Sequence, residues 1–297
     1  MRTLSNLAKF FIICAAVFFV GLVCTIIGVA AGGFEGINKI AEKYDWIQGD
    51  PGERTVISQT VEDFQSVAVT GYADYWIVGR DFYKSEKWLA DQDLLTEKEA
   101  ALIEPNQVSI ICGENADKPE IKVEKGVLTI DAGAKDVSGI SFSTSDAPWN
   151  PEVLICVPDE VLESLTASSE IGDINCLGVA WKNARIELNT GNVNMEGVRS
   201  GGLVAETDTG DANLQGKFME RLQAKTDTGD IEIDTTLAKA EYGLDLKADS
   251  GEITISEPGQ DDREIDEAPA IVKEAGGPHT IIASTDTGEI ILSFQSD

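Results

Sequence analysis

The side chains best suited to chemistry are carboxylates that recur around a repeated glycine. Asp208 and Asp211, Asp227 and Asp230, Asp249 and Glu252, and Asp286 and Glu289 each flank one glycine in motifs of the type Thr-Asp-Thr-Gly-Asp. Carboxylate oxygens at regular spacing suit a hard cation such as calcium, and two carboxylates astride a glycosidic bond can act as acid and base. Uniformity weakens the second reading, because almost every repeat carries the same acids and no pair is set apart. The first lacks the glycine-rich nonapeptide of calcium-loaded β-rolls. His279, in Gly-Gly-Pro-His-Thr, is the only histidine, and no nucleophile elbow, P-loop or dinucleotide fingerprint accompanies it. No catalytic or cofactor-binding residue is assigned.

These acids must be positioned by a periodic architecture. Aligned on one glycine, the segments read LTASSEIGDINC (Gly172), ARIELNTGNVNM (Gly191), LVAETDTGDANL (Gly210), LQAKTDTGDIEI (Gly229), LDLKADSGEITI (Gly251) and IIASTDTGEIIL (Gly288). The first three intervals are 19 residues, the fourth is 22 and the last is 37, which holds one turn plus a spliced acidic loop over residues 258–277. Within the fourth copy Leu222, Ala224, Thr226, Thr228, Ile231 and Ile233 alternate with polar residues, so one face of each strand points inward. A second glycine follows at Gly178, Gly197 and Gly216 and marks another corner. Two short strands with two bends cannot bury an inner face alone and must stack on neighbours. The expected fold is all-β, a β-solenoid (β-helix) with repeats of about 19 residues.

Thr-Asp-Thr-Gly-Asp then reads as a corner, with glycine supplying positive φ and the acids accepting backbone N–H groups. Stacking places Asp208, Asp227, Asp249 and Asp286 in one column and Asp211, Asp230, Glu252 and Glu289 in another. Neighbouring like charges ~4.8 Å apart repel by about 0.9 kcal/mol even in water. A calcium ion between rungs would relieve that repulsion, so turn chemistry and cation binding both stand.

Upstream, residues 61–79 alternate as strands, and residues 119–133 read as a hairpin around Lys125-Gly126. Thr96 and Glu99 stand at capping-box spacing before Pro105, predicting a short helical insertion over residues 97–103. Residues 141–151 read as a loop. Trp46, Tyr72, Tyr75, Trp76, Phe82, Tyr83, Trp88 and Trp149 concentrate before the regular repeats, where they would fill and cap the open end of the solenoid, a sugar-stacking or docking patch being the alternative.

Residues 10–31 form a run of 22 residues without charge, long enough to cross a bilayer as a helix. Arg2 and Lys9 precede it, while Glu35, Lys39, Glu42 and Lys43 balance after it, which places the N-terminus in the cytoplasm. A cleaved signal peptide ending near Ala31 is the competing reading. The expected organisation is a cytoplasmic tail (1–9), a transmembrane anchor (10–31), a linker (32–56) and an extracytoplasmic solenoid (57–297) in the cell membrane. Acidic residues number 52 against 23 basic ones, a net charge of -29, and such a field repels nucleic acid and anionic headgroups. Cys112, Cys156 and Cys176 lie beyond the span with no metal or redox spacing, and free buried thiols are expected.

With these residues in view, the chain resembles the DUF4097 family of bacterial proteins, often labelled adhesins and sometimes encoded beside envelope-stress systems. The resemblance rests on VLICVPDEVLESL followed by the SSEIGDI, NTGNV, TDTGDA, TDTGDI, DSGEI and TDTGEI series, and covers residues 57–294. It implies a surface-facing β-helical domain and supplies no catalytic residues. The leading functional expectation is a non-enzymatic, membrane-anchored solenoid whose acidic surface meets a cell-envelope polymer or a membrane protein. A sensor partner of an envelope-stress membrane protein and a carboxylate-dependent glycan-active enzyme are the alternatives.

Overall fold

The alternating repeats close into two sheet faces packed inner side to inner side. A computed structural model describes residues 54–83, 104–113, 118–133, 151–158 and 161–295. The anchor, most of the linker, the helix expected over residues 97–103, the loop over 141–150, and Trp46, Trp88 and Trp149 lie outside the described residues. Among the described residues no helix is long and apolar enough to cross a membrane.

In chain order the strands are β1 (Arg54–Thr60), β2 (Ser66–Tyr72), β3 (Asp74–Val78), β4 (Gln107–Gly113), β5 (Glu120–Glu124), β6 (Val127–Asp131), β7 (Glu152–Cys156), β8 (Leu162–Ile171), β9 (Ile174–Leu177) and β10 (Ala180–Thr190). They continue as β11 (Val193–Thr209), β12 (Ala212–Thr228), β13 (Ile231–Thr235), β14 (Tyr242–Ser250), β15 (Ile253–Ser256), β16 (Arg263–Ile265), β17 (Ala270–Glu274), β18 (His279–Thr287) and β19 (Ile290–Phe294). A four-residue helix, α1 (Arg80–Tyr83), follows β3.

Strands β11 and β12 bend around the second corner without a break, so each serves both faces. Face one runs β5, β6, β2, β8, β10, the second half of β11, the second half of β12, β18, β14 and β17. Face two runs β1, β4, β7, β3, β9, the first halves of β11 and β12, then β13, β19, β15 and β16. Pairing is parallel through the middle and antiparallel at both ends. The described core is therefore the solenoid that the repeat requires.

Its register turns the period of two into ladders of apolar side chains. Val67, Leu165, Ala184, Leu203, Leu222, Ile281 and Leu244 stack on face one, and Tyr75, Ile174, Val193, Ala212, Ile231, Ile290 and Ile253 stack opposite. All are buried. Each rung supplies only a few apolar side chains, and burial arises between rungs, at about 1.5–3 kcal/mol for a fully buried large aliphatic residue.

Three expectations are corrected. The order of rungs is not the order of the sequence: the last rung, β18 and β19, lies between the β12–β13 rung and the β14–β15 rung. At the other end, β2 and β3 lie between β6 and β7 on one side and β8 and β9 on the other. Second, the acidic segment over residues 258–277 is not a plain loop. It contains β16 and β17, which run antiparallel to β15 and β14 and cover the last parallel edges. Third, Tyr75, one of the aromatic residues expected to cap an open end, lies away from it. Tyr75 is fully buried mid-sheet, its hydroxyl donating to the Thr70 carbonyl at 2.6 Å, and the N-terminal end is closed by β5, β4 and β1. The hairpin at Lys125-Gly126 is as expected, with both residues at positive φ.

Candidate functional site: the stacked glycine corner

Each residue of Thr-Asp-Thr-Gly-Asp has a separate task at the corner between the faces. The first threonine points inward. Thr207, Thr226 and Thr285 are buried, and their hydroxyls donate to the carbonyls of Gly191, Gly210 and Gly229 at 2.9, 3.0 and 3.1 Å. The hydroxyl thereby satisfies a carbonyl of the preceding rung that the bent backbone leaves unpaired. The second threonine was expected to point inward as well. Thr228 is exposed, as are Thr190, Thr209 and Thr287, because the backbone turns there and the alternation stops one residue early.

The glycine is fixed by contact as much as by conformation. Gly229 has φ +145, and a Cβ there would overlap the carbonyl oxygen of Gly210. The same relation runs from Gly172 to Ala73 and from Gly251 to Gly288, so the column follows spatial order, not sequence order. Ala73 holds the equivalent place at the first corner. The neighbouring level there is made of β6 and β7, which a long connection separates in sequence, so a methyl group is tolerated.

The acid after the glycine does the corner's polar work. The Asp173 N–H donates to Asp74 Oδ1 at 2.8 Å, Asn192 N–H to Asp173 Oδ1 at 2.7 Å, and Asp211 N–H to Asn192 Oδ1 at 2.8 Å. Asp230 N–H then donates to Asp211 Oδ1 at 2.8 Å, and Glu289 N–H to Asp230 Oδ1 at 2.7 Å. A side-chain oxygen here replaces the carbonyl that a straight ladder would supply. Aspartate and asparagine are interchangeable in that role, as Asn192 shows. Burial pushes the Asp74 carboxyl above the usual carboxylate range, the Asp173 N–H lowers it and the neighbouring Asp173 charge raises it again.

The acid before the glycine faces solvent. The register aligns Glu170, Asn189, Asp208, Asp227, Asp286 and Asp249 in that order. Lys225 bonds Asp227 at 2.6 Å and Lys247 bonds Asp249 at 2.7 Å, each from two residues back along the same strand. Asp208 and Asp286 form no salt bridge among the described residues, although the Lys225 charge also acts on Asp286. Asp211, Asp230, Glu289 and Glu252 form the second column beside them, in that spatial order. The two columns expected from the sequence are thus both present, with Asp286 and Glu289 moved inside them. Among the described residues no group of three or more histidine, cysteine, aspartate or glutamate side chains is gathered closely enough to hold a metal ion.

Sequence reasoning missed an asparagine ladder on face two. Asn213 donates to Asn194 and Asn194 to Asn175, each at 3.0 Å, and Asn175 reaches the Tyr75 carbonyl at 3.4 Å. Their recurrence two residues after the Gly172, Gly191 and Gly210 acid or amide was the available signal. Cys112, Cys156 and Cys176 are buried and not joined in disulfides, and burial pushes the Cys176 thiol well above its ordinary range, which makes it inert. His279 packs its ring against Tyr242 at 5.7 Å between centroids.

A two-faced parallel β-solenoid stacked on glycine corners is the class that this fold and site define. The chain belongs to the Toastrack DUF4097 family, whose model matches residues 108–293. No curated protein matches it. Among solved structures, a "putative cell adhesion protein" from Clostridium sporogenes is 11% identical with a TM-score of 0.47, covering 82% of this chain and 100% of its own. A "putative adhesin" from Bacteroides fragilis is 11% identical with a TM-score of 0.40, covering 82% and 97%. A "putative lipid binding protein" from Parabacteroides distasonis is 12% identical with a TM-score of 0.28, covering 82% and 94%.

Proposed function

We propose that the protein is a non-enzymatic, membrane-anchored extracytoplasmic solenoid whose acidic glycine edge engages the cell envelope. The observation that carries this reading is the edge itself. Outward acids before the glycine and acids after it follow one another rung by rung, on a backbone fixed by the glycine and threonine contacts. Such an edge is rigid, repetitive and anionic, which suits a polymeric or extended cationic partner better than a small substrate. Residues 10–31 supply the anchor, and nucleic acid is disfavoured by the charge. The carboxylates of Asp173, Asp211 and Asp230 already accept backbone N–H groups, which supports a structural over a catalytic role for that column.

The test is co-sedimentation of the full-length, detergent-solubilised protein with isolated cell walls, with calcium and with chelator in parallel. Saturable binding that weakens with salt is expected. Asp208→Asn combined with Asp286→Asn should reduce it without lowering the melting temperature. Binding only with calcium would make the columns cation ligands. Absence of binding in both buffers would sink the wall reading and leave a membrane protein as the partner.

A further inference from the structure

Face one carries a second feature, at the opposite end of its strands from the glycine corner. A depression of about 390 Å³ opens there, lined by Ser164, Thr166, Asn183, Arg185, Gly202, Glu220 and Arg221 among others. It exists because Gly202 lies in register between Asn183 and Arg221 and contributes no side chain. The register shifts beside it, where β12 carries an extra residue relative to β11 between Phe218 and Arg221, and the bulge turns Met219 and Glu220 outward. Bulges of this kind re-aim side chains and gather next to binding sites.

The floor is held from below. Buried Trp181 donates its indole N–H to Ser200 Oγ at 2.8 Å, and that hydroxyl donates to the Gly202 carbonyl at 2.9 Å. The rim is chemically mixed. Arg185 is neutralised by Glu187 and lies 4.0 Å from Glu206, whereas Arg221 donates to the neutral Gln223 at 2.9 Å and has no carboxylate partner among the described residues. In a chain of net charge -29, a guanidinium bonded to a neutral amide beside a glycine-floored depression is suited to pairing with an anion. Asn183 offers both a donor and an acceptor, Thr166 a hydroxyl, and Glu220 an acceptor, which is the mixture that a polyhydroxylated ligand requires.

We propose that this depression binds a small carboxylate-bearing saccharide, with the Arg221 guanidinium holding the carboxylate and Asn183, Thr166 and Glu220 meeting ring hydroxyls. The site is separate from the glycine edge. Equilibrium dialysis of labelled galacturonate against the full-length, detergent-solubilised protein tests it, with galactose and acetate as the arms that lack the carboxylate or the hydroxyls. Saturable galacturonate binding is expected, at least about tenfold tighter than either control, the size of one charge-assisted hydrogen bond. Arg221→Gln should weaken it by about tenfold and Arg221→Lys by less, because lysine keeps the charge and loses the fork. Asp208→Asn should leave it unchanged. Equal binding of galactose overturns the carboxylate assignment, equal binding of acetate overturns the saccharide, and unchanged affinity in Arg221→Gln or no galacturonate binding overturns the site. A thermal melt of Arg221→Gln, whose side chain is exposed, confirms that any loss is not unfolding.

Discussion

The rungs around Gly172, Gly191 and Gly210 and the rungs around Gly229, Gly288 and Gly251 share one corner chemistry but are assembled differently. In the first group each rung pairs with its neighbour in sequence, 19 residues away, as Ala184 pairs with Leu203. In the second, Leu222 pairs with Ile281 and Ile281 with Leu244, so the last rung enters a slot between two that precede it. Repeats alone specify what a rung looks like. They do not specify which rung it meets. Non-local pairing also requires a longer loop to close before any contact rewards it, so the central rungs are expected to form before the closing one.

The most severe way to break this difference is to remove the closing rung. Truncation after Pro278 exposes the facing edges of the β12–β13 and β14–β15 rungs and removes Ile281, Ile290, Leu292 and Phe294 from the core. At about 1.5–3 kcal/mol each these four alone match a typical domain's whole stability. The cooperative melt should disappear, and a synthetic peptide of residues 279–294 should restore it. A truncated chain that melts like the parent would show that the slot is not needed.

Glycine substitutions sharpen the same contrast. Gly229→Ala drives a methyl group into the Gly210 carbonyl at positive φ and should cost about 4 kcal/mol or more. Gly259→Ala, at φ +73 in the segment that leads into β16 with nothing near its Cβ, should cost only about 1 kcal/mol. Urea denaturation at pH 7 measures both. Thr226→Val, which keeps the shape but leaves the Gly210 carbonyl without its hydroxyl donor, falls between them at about 1–2 kcal/mol.

The corner column gives an effect of opposite sign. The folded-state pKa of Asp74 is raised, so its ionised form costs stability at neutral pH, and that cost fades as pH falls through the raised value. Asp74→Asn keeps an oxygen for the Asp173 N–H, as Asn192 does for Asp211, and should raise the melting temperature at pH 7 by a few degrees. Parent and variant should converge in acid.

The C-terminal cap supplies the smallest effect. Glu274 is pushed up by partial burial, but hydrogen bonds from Arg263 and Lys239 outweigh this and hold it below the ordinary range. Lys239 also reaches Glu257 at 2.9 Å, so the cap is clasped to the 3-10 turn before β14. A depressed carboxylate stabilises above its unfolded pKa and ceases to do so as pH falls through the folded value. Glu274→Gln should therefore cost at most about 1 kcal/mol at pH 7 and nothing in strong acid, since the groups are partly exposed.

The sequence by itself determined the unit of this protein: the strand alternation, the glycine at the corner of each regular repeat, and the two columns of acids. Those follow from neighbours a few residues apart, where period two and positive φ leave one solution. It also carried the hairpin at Lys125-Gly126, whose conformation is local. Only the tertiary structure decided the order of the rungs, the antiparallel role of β16 and β17, and the inward turn of Thr226 against the outward turn of Thr228. Identical corners are interchangeable partners, so their order depends on which edges remain open once the ends are covered, and no short stretch of sequence records that. The Arg221 depression has the same origin, because Gly202 and Arg221 become neighbours only when β11 and β12 are set in register.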